Sequence, residues 1–501
     1  MLGRESVIGV LGAGTMGTGI AQVAATAGHP VRLFDREEGA AAAAVRRIEA
    51  RLRASVEKGR RRAEEAQAIL ARIEVAADLQ AMAGCGLVIE AVSEELATKR
   101  ELFAAVEPIV GEACILATNT SSLSITAIGA VLQKPSRFLG MHFFNPAPAM
   151  RLVEIVSGLE TGAAVAEAAC RLAESWGKTP IRVRNTPGFV VNRVARPFYG
   201  EGLLLLAEGA ADPATLDAVL RDCGGFPMGP CELTDLIGQD VNAAVTRSLF
   251  EAYHFDRRYL PPRVQLELVE AGRLGRKCGR GFYDYDANGR PLRPDPAAEA
   301  PAPPPRELAV EGDLGPATSL IALAERAGLR VARVPHGPGL LHLENATLML
   351  ADGLPASEHA ARQHRPVLTF DLCLDYARTP RIALAACANC PEPALREAVG
   401  FFQALGKTVT RIGDVPGLIV MRTLAMLANE AAEAVREGVA QPEAIDCAMR
   451  LGLNYPEGPL AWAGRVGVRR LVQCLDHLFE LYHDPRYRAS LELRRRLWQR
   501  E

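Results

Sequence analysis

The sequence predicts an α/β domain followed by an all-α domain, then a degenerate α/β remnant and a second all-α domain. Three observations predict this order. The chain opens on "SVIGVLGAGTMGTGIAQVAATAGHPVRLFD", an apolar strand, a glycine cluster, a helical stretch and a second strand. That is a βαβ start and implies a parallel sheet. Strand signals then thin out after about residue 185, and a stretch near residue 170 recurs in altered form near residue 400.

Residues 40–75 are rich in Ala and Arg, carry no strand signal, and read as long helices split near "KGRRR" (58–62). Strand signals return at "GLVIEAV" (86–92), "CILATNT" (114–120), "RFLGMHF" (137–143) and "RLVEIV" (151–156). "PGFVVNRVARPFYGEGLLLLAEGA" and the segments after it read as helices. A Pro/Ala-rich stretch then has the composition of a semi-rigid linker. Beyond it the repeat appears: "LAESWGKTPIRVRNTPGFVVNR" (172–193) matches "FQALGKTVTRIGDVPGLIVMR" (402–422), and each copy later reaches a Gly-Pro turn, "PMGPCEL" or "PEGPLAW". The expected domains are 1–184 and 185–286 for the first copy, a linker at 287–307, a reduced α/β remnant at 308–413, and a second helical copy at 414–501.

The 501 residues suggest about three domains as a soft prior. A net charge of -2 recruits neither nucleic acid nor an anionic membrane surface. The start shows no signal-peptide h-region, and apolar runs such as "GLLLLA" are too short to span a bilayer. Eleven scattered cysteines suit free thiols in a reducing compartment, so a cytoplasmic location is expected. "CANC" (387–390) lacks a second ligand pair, so no metal site is expected.

"GVLGAGTMG" holds Gly12-x-Gly14-x-x-Gly17 between a strand and a helix, and Asp35 ends the next strand about 20 residues on. This Rossmann-type arrangement has mechanical reasons. Gly12 allows the tight turn, Gly14 lets the backbone approach a pyrophosphate, and Gly17 permits close helix–strand packing. Thr15 and Met16 lie in the same turn, at a helix N-terminus that offers free N–H groups to phosphate. Asp35 accepts from a free ribose hydroxyl and repels a 2′-phosphate, which favours NAD over NADP. Arg36 beside it reads as a solvated loop charge.

Glu90, Asn119, Ser121, His142 and Glu154 recur near strand ends, where ligands of open α/β sheets gather. Glu154 within an apolar strand is expensive to bury alone. Pairing with His142 would satisfy both groups, fix the imidazole tautomer and strengthen it as a base. Phe143 and Phe144 read as packing.

"GAGTMG", "EAVSE", "NTSSL", "GMHFFNPAPAMRLVEIV" and "NTPGFVVNR" together resemble the signature set of the L-3-hydroxyacyl-CoA dehydrogenase family, and "RKCGRGFYDY" (276–285) resembles its closing "KTGRGFY" run, with Cys278 in place of Thr. The resemblance runs from residue 5 to 286 and implies the following. NAD is the cofactor and an acyl-CoA the substrate. His142 is the general base for the 3-hydroxyl, Glu154 orients it, and Ser121 and Asn192 hold the reacting oxygen and the thioester. Glu90, Glu94 and Lys99 line the cofactor or acyl-CoA cleft, with Asn119 beside them. The 40–75 helices clasp the CoA nucleotide, with Lys58, Arg60, Arg61 and Arg62 as possible phosphate donors.

In the second copy Met421 stands for Asn192 and Leu384 for Glu154, and no glycine fingerprint appears between 308 and 380. The copy keeps the scaffold and lacks the site. This layout resembles the long, phenylacetate-pathway type of the family, which acts on 3-hydroxyadipyl-CoA. Single-copy members dimerise through the helical domain, so the second copy is expected to replace a partner as an intrachain pseudo-dimer, with homodimerisation of whole chains left open. Two other readings stand beside the CoA ester. One is a dehydrogenase of a free hydroxy or sugar acid. The other is a cofactor-binding protein without activity, against which the intact His142 set speaks.

Overall fold

A computed structural model describes residues 2–499. The chain forms two compact units, one of residues up to Arg193 joined by Glu437–Leu453, the other of Val194–Arg436 and the chain from Asn454 onward.

The first unit is built on an eight-stranded sheet in the order β3-β2-β1-β4-β5-β6-β7-β8. The strands are β1 (Ile8–Leu11), β2 (Val31–Phe34), β3 (Ile73–Val75), β4 (Leu87–Glu90), β5 (Ile115–Thr118), β6 (Phe138–Phe143), β7 (Leu152–Ser157) and β8 (Thr179–Arg184). β1 and β4 to β6 are buried along their whole length, as strands covered on both faces must be. The 40–75 region forms helices Ala40–Glu57 and Ala63–Leu70, but its end is not helical. Residues 73–75 add the edge strand β3, whose side chains are largely exposed and so leave no apolar pattern.

The parallel order breaks at one pairing, so that β7 and β8 run opposite to the other strands. β7 runs antiparallel to β6, while β8 is again parallel to β7. Residues 144–151 join β6 to β7, and eight residues are too few for the crossover a parallel neighbour needs. The reversal has a chemical consequence, because it sets Glu154 directly opposite His142 in register.

Helix Pro442–Leu453, from the second copy, lies against β7 and β8 in this unit. In the second unit the arrangement is reciprocal: helix Pro213–Asp222, from the first copy, lies against strand Arg381–Ala386. That strand belongs to a seven-stranded mixed sheet spanning residues 307–411, which opens on Glu307–Gly312 and has no dinucleotide fingerprint. Helices Arg196–Ala207 and Val420–Arg436, equivalent in the repeat, pack on each other. The Pro/Ala-rich stretch is held down along its length: Glu299 N donates to Val409 O, Ala302 N to Gln403 Oε1, and Thr410 Oγ1 to Ala297 O. Among the described residues no helix is long and apolar enough to cross a membrane.

Candidate active site

The carboxyl ends of β1, β2 and β4 border a cleft of about 560 Å³ lined by Gly12, Gly14, Asp35 and Arg36 on one side and by Val92, Thr98 and Leu102 on the other. The three glycines do different work. Gly12 has φ +100°, and a Cβ there would stand 2.5 Å from Ala91 O. A Cβ on Gly17 would stand 1.9 Å from Gly12 O, so helix Thr15–Ala27 meets the strand turn with no room to spare. Gly14 is exposed and a Cβ there meets nothing within 4 Å, which leaves its space to a ligand. No side chain caps the helix at Gly14, so the exposed turn holding Thr15 presents backbone N–H groups to an anion. Asp35 is already oriented: Oδ2 accepts from Ala13 N at 2.6 Å and Oδ1 from Glu37 N at 2.9 Å. Open glycine, uncapped helix end and fixed carboxylate fit a dinucleotide with a free 2′-hydroxyl. Thr98, Glu101, Leu102 and Ala105 also line the cleft and were missed from the sequence. Their spacing marks one face of helix Leu96–Val106, a signal that was available.

A second cavity of about 350 Å³ is bordered by Met16, Glu94, Lys99, Asn119, Ser121, His142 and Asn192. At its floor His142 Nδ1 lies 2.6 Å from Glu154 Oε2. Glu154 is wholly buried, and its other oxygen accepts from the backbone N–H groups of Val190 and Val191, both at 3.0 Å. A carboxylate so fixed accepts only, so the proton of a neutral His142 sits on Nδ1 and Nε2 keeps its lone pair. Phe144 tilts against the imidazole at 4.5 Å between centroids, Phe143 stacks on Trp176, and both border the cavity. Asn119 Oδ1 accepts from Phe143 N at 2.8 Å, and Asn192 Nδ2 lies 3.4 Å from Ser121 O.

The Ser121 loop is tied to Glu94. Glu94 Oε1 accepts from Thr120 Oγ1 at 2.6 Å, Ser121 N at 2.8 Å and Ser122 Oγ at 3.0 Å. Burial opposes its ionisation, but the Thr120 hydroxyl, Lys99 and the loop donors outweigh burial and hold the carboxyl below its usual range. Lys99 is buried and bridges Glu94 to Glu90, at 3.3 and 2.6 Å. For Glu90 the expected place on the cleft wall gives way to a buried one. Its oxygens are taken by Lys99, Val92 N and Thr118 Oγ1, and it borders neither cavity. Of the basic residues at 58–62, Arg62 pairs with Glu65.

Residues 7–186 match the model for the 3-hydroxyacyl-CoA dehydrogenase NAD binding domain. Residues 188–285, and again 417–499, match its C-terminal domain, and 348–416 match the 3-hydroxybutyryl-CoA dehydrogenase reduced Rossmann-fold domain. The chain is 45% identical over 497 residues to 3-hydroxyadipyl-CoA dehydrogenase of Escherichia coli K12, covering 99% of this chain and 98% of that one. It is 43% identical over 277 residues to a probable 3-hydroxybutyryl-CoA dehydrogenase of Bacillus subtilis 168, covering 55% of this chain and 96% of that one. A crystal structure described as 3-hydroxybutyryl-CoA dehydrogenase from Escherichia coli K12 superposes with TM-score 0.91 at 44% identity over 99% of both chains.

Proposed function

The chain belongs to the 3-hydroxyacyl-CoA dehydrogenase family, and on that premise we propose which residues do the chemistry and which acyl group it takes. It is an NAD-dependent enzyme that interconverts (S)-3-hydroxyacyl-CoA and 3-oxoacyl-CoA. The His142–Glu154 contact carries the assignment of roles. In the oxidation His142 Nε2 takes the proton of the 3-hydroxyl, and in the reduction it returns that proton. Glu154 keeps the ring in the tautomer that can do so and stabilises the imidazolium once formed. Ser121 and Asn192 orient the reacting oxygen and the thioester, while Glu94 and Lys99 hold the Ser121 loop. Gly12, Gly14, Thr15, Gly17 and Asp35 shape the cofactor cleft, and Met16 and Asn119, on the second cavity, meet the reactive end of the cofactor. NAD, when bound, accepts the hydride from C3.

For the acyl group we propose 3-hydroxyadipyl. The support is that the E. coli relative matched over the full two-copy length bears that name, whereas the B. subtilis relative, half as long, is named for 3-hydroxybutyryl-CoA. A second reading, 3-hydroxybutyryl, follows the description of the full-length crystal structure. Neither Arg193 nor Arg196 is offered to a distal carboxylate. Arg193 is engaged by Glu437, and Arg196 stacks on Tyr199 and bonds Thr246. NADH formation from both CoA esters, with wild type and His142→Ala, tests these statements. We expect a higher kcat/KM for the adipyl ester, and a loss of about 10²–10⁴ in the variant. Preference for the butyryl ester by more than about tenfold would replace the first reading with the second.

The domain boundaries 184, 286, 307 and 413 belong to the same proposal, as does the intrachain pseudo-dimer. Reciprocal contacts support the latter. Arg193 pairs with Glu437 and Arg422 with Glu208, each arginine with the other copy's equivalent acid. Likewise Tyr259 bonds Glu430 and Tyr487 bonds Glu201. Such exchange is the mark of an isologous interface. The eleven free thiols support a reducing, cytoplasmic setting.

A further inference from the structure

Residues 437–453 come from the second copy yet fold as part of the first unit. Three contacts tie them to the turn that anchors Glu154. Glu437 Oε2 receives Arg193 Nη1 at 2.6 Å, and Arg193, wholly buried, follows Asn192 in the chain. Val439 O accepts from Arg184 N, at the end of β8, at 2.8 Å. At Gly452 the 442–453 helix comes so close that a Cβ would stand 2.9 Å from Leu152 Cδ2 and 3.2 Å from Val191 Cγ2. Leu152 opens the strand that carries Glu154, and Val191 supplies one of the two N–H groups that hold it.

We infer that this segment is a positioning element of the active site, with Glu437 acting through Arg193 and Gly452 acting through Val191 and Leu152. The inference rests on the roles proposed above for His142, Glu154 and Asn192. Its physical basis is that the Glu154 grip depends on where the 190–191 N–H groups stand. Reactive geometry tolerates about 0.5 Å of displacement, and a misplacement of about 1 Å is worth roughly 10²-fold in rate. The donor turn is braced by its own strand and also by residues 437–453, which the second copy supplies. A copy that has lost its own chemistry thereby serves the chemistry of the other.

The competing view is that Glu437 merely holds two copies together. The reciprocal pair Arg422–Glu208 separates the two views, because it has the same chemistry but lies in the second unit, beside the turn whose flanking strands carry Phe370 and Leu384 in place of His142 and Glu154. The full-length enzyme is prepared as Glu437→Gln, Gly452→Ala, Glu208→Gln and His142→Ala. kcat, KM for NAD and the thermal midpoint are measured for each. We expect Glu437→Gln and Gly452→Ala to lower kcat roughly ten- to hundredfold with KM for NAD held within about twofold. Glu208→Gln should lower the midpoint about as much as Glu437→Gln and leave kcat within about twofold. Equal kcat losses in Glu437→Gln and Glu208→Gln, or none in Glu437→Gln and Gly452→Ala while His142→Ala is inactive, would overturn the inference alone. A His142→Ala enzyme that still turns over would overturn the site reading beneath it. Should Glu437→Gln not fold, Gly452→Ala adds a single methyl and decides the matter by the same split.

Discussion

Glu154→Gln is the sharpest perturbation of the site, because it keeps shape and removes only the second acceptor. In the native protein one carboxylate oxygen takes the His142 Nδ1 proton and the other takes two backbone N–H groups. An amide can do one of these tasks but not both. With its oxygen toward Val190 and Val191, its NH₂ faces Nδ1, which must then accept. The ring proton moves to Nε2 and the base is blocked. With its oxygen toward His142, the NH₂ faces two buried N–H donors that are left unpaired, at about 1–3 kcal/mol each. The blocked arrangement is therefore favoured by about 2–6 kcal/mol. Only the minor arrangement is competent, so kcat should fall by about 30-fold to 10⁴-fold, the upper end matching the effect of a wrong imidazole tautomer in serine proteases. KM for NAD should hold, since Glu154 does not border the 560 Å³ cleft. Initial rates of NADH formation at saturating NAD, with circular dichroism to confirm the fold, measure this. A folded variant with kcat within about threefold of wild type would refute the tautomer argument.

Three further outcomes follow from the same geometry. Gly14→Ala should leave the unfolding midpoint unchanged and weaken NAD binding about tenfold or more in calorimetric titration, whereas Gly17→Ala, whose methyl would meet Gly12 O, should destabilise by about 1–3 kcal/mol in urea. Asp35→Asn should raise KM for NAD about tenfold and narrow the preference over NADP, as steady-state kinetics with both cofactors will show. Burial pushes Asp371 up to about 6 from 3.8 against four backbone N–H donors. A raised acid holds its proton longer in the folded state, so its stabilisation is full below about pH 4 and is lost as pH rises to about 6. A shift of about two units corresponds to about 3 kcal/mol, and urea unfolding at about pH 4 and pH 7 should show a smaller pH difference in Asp371→Asn than in wild type.

The parts of the site that could be read in the sequence are those whose chemistry needs special residues. Glycines at fixed spacing, an acid ending a strand and a glutamate inside an apolar run each break a local rule, and each break has a cost that function explains. What escaped were features whose pattern is ordinary until a partner is known. The edge strand β3 is exposed on most positions, so it shows no alternation. β8 begins Thr-Pro and was passed over, although its later residues alternate between buried and exposed. Lys99 is named by the family resemblance, but its burial between two glutamates has no local signal, since its position reads as that of a solvated helix lysine. The 442–453 helix carries the periodicity of any amphipathic helix, and periodicity reports that a face is covered without saying by what.

The retired copy shows which half of the Glu154 task is structural. In register, Leu384 stands opposite Phe370 where Glu154 stands opposite His142. The turn that follows is kept: Gly417 and Leu418 have φ of +75° and +52°, beside +73° and +50° at Gly188 and Phe189. The N–H groups of that turn still need an acceptor, because the helix end is buried. Asp371, at the end of the neighbouring strand, supplies it: Oδ2 takes Ile419 N and Val420 N, and Oδ1 takes Met421 N. A carboxyl acceptor thus stands at this helix start in both copies, with or without chemistry. In the first copy a longer side chain reaches the turn from β7 with one oxygen to spare, and that oxygen holds the base. In the second, both oxygens serve the backbone and none is left for an imidazole. The difference between the two sites is therefore a change in which strand supplies the carboxylate, with Phe370 and Leu384 standing where the first copy has the base and its orienting acid.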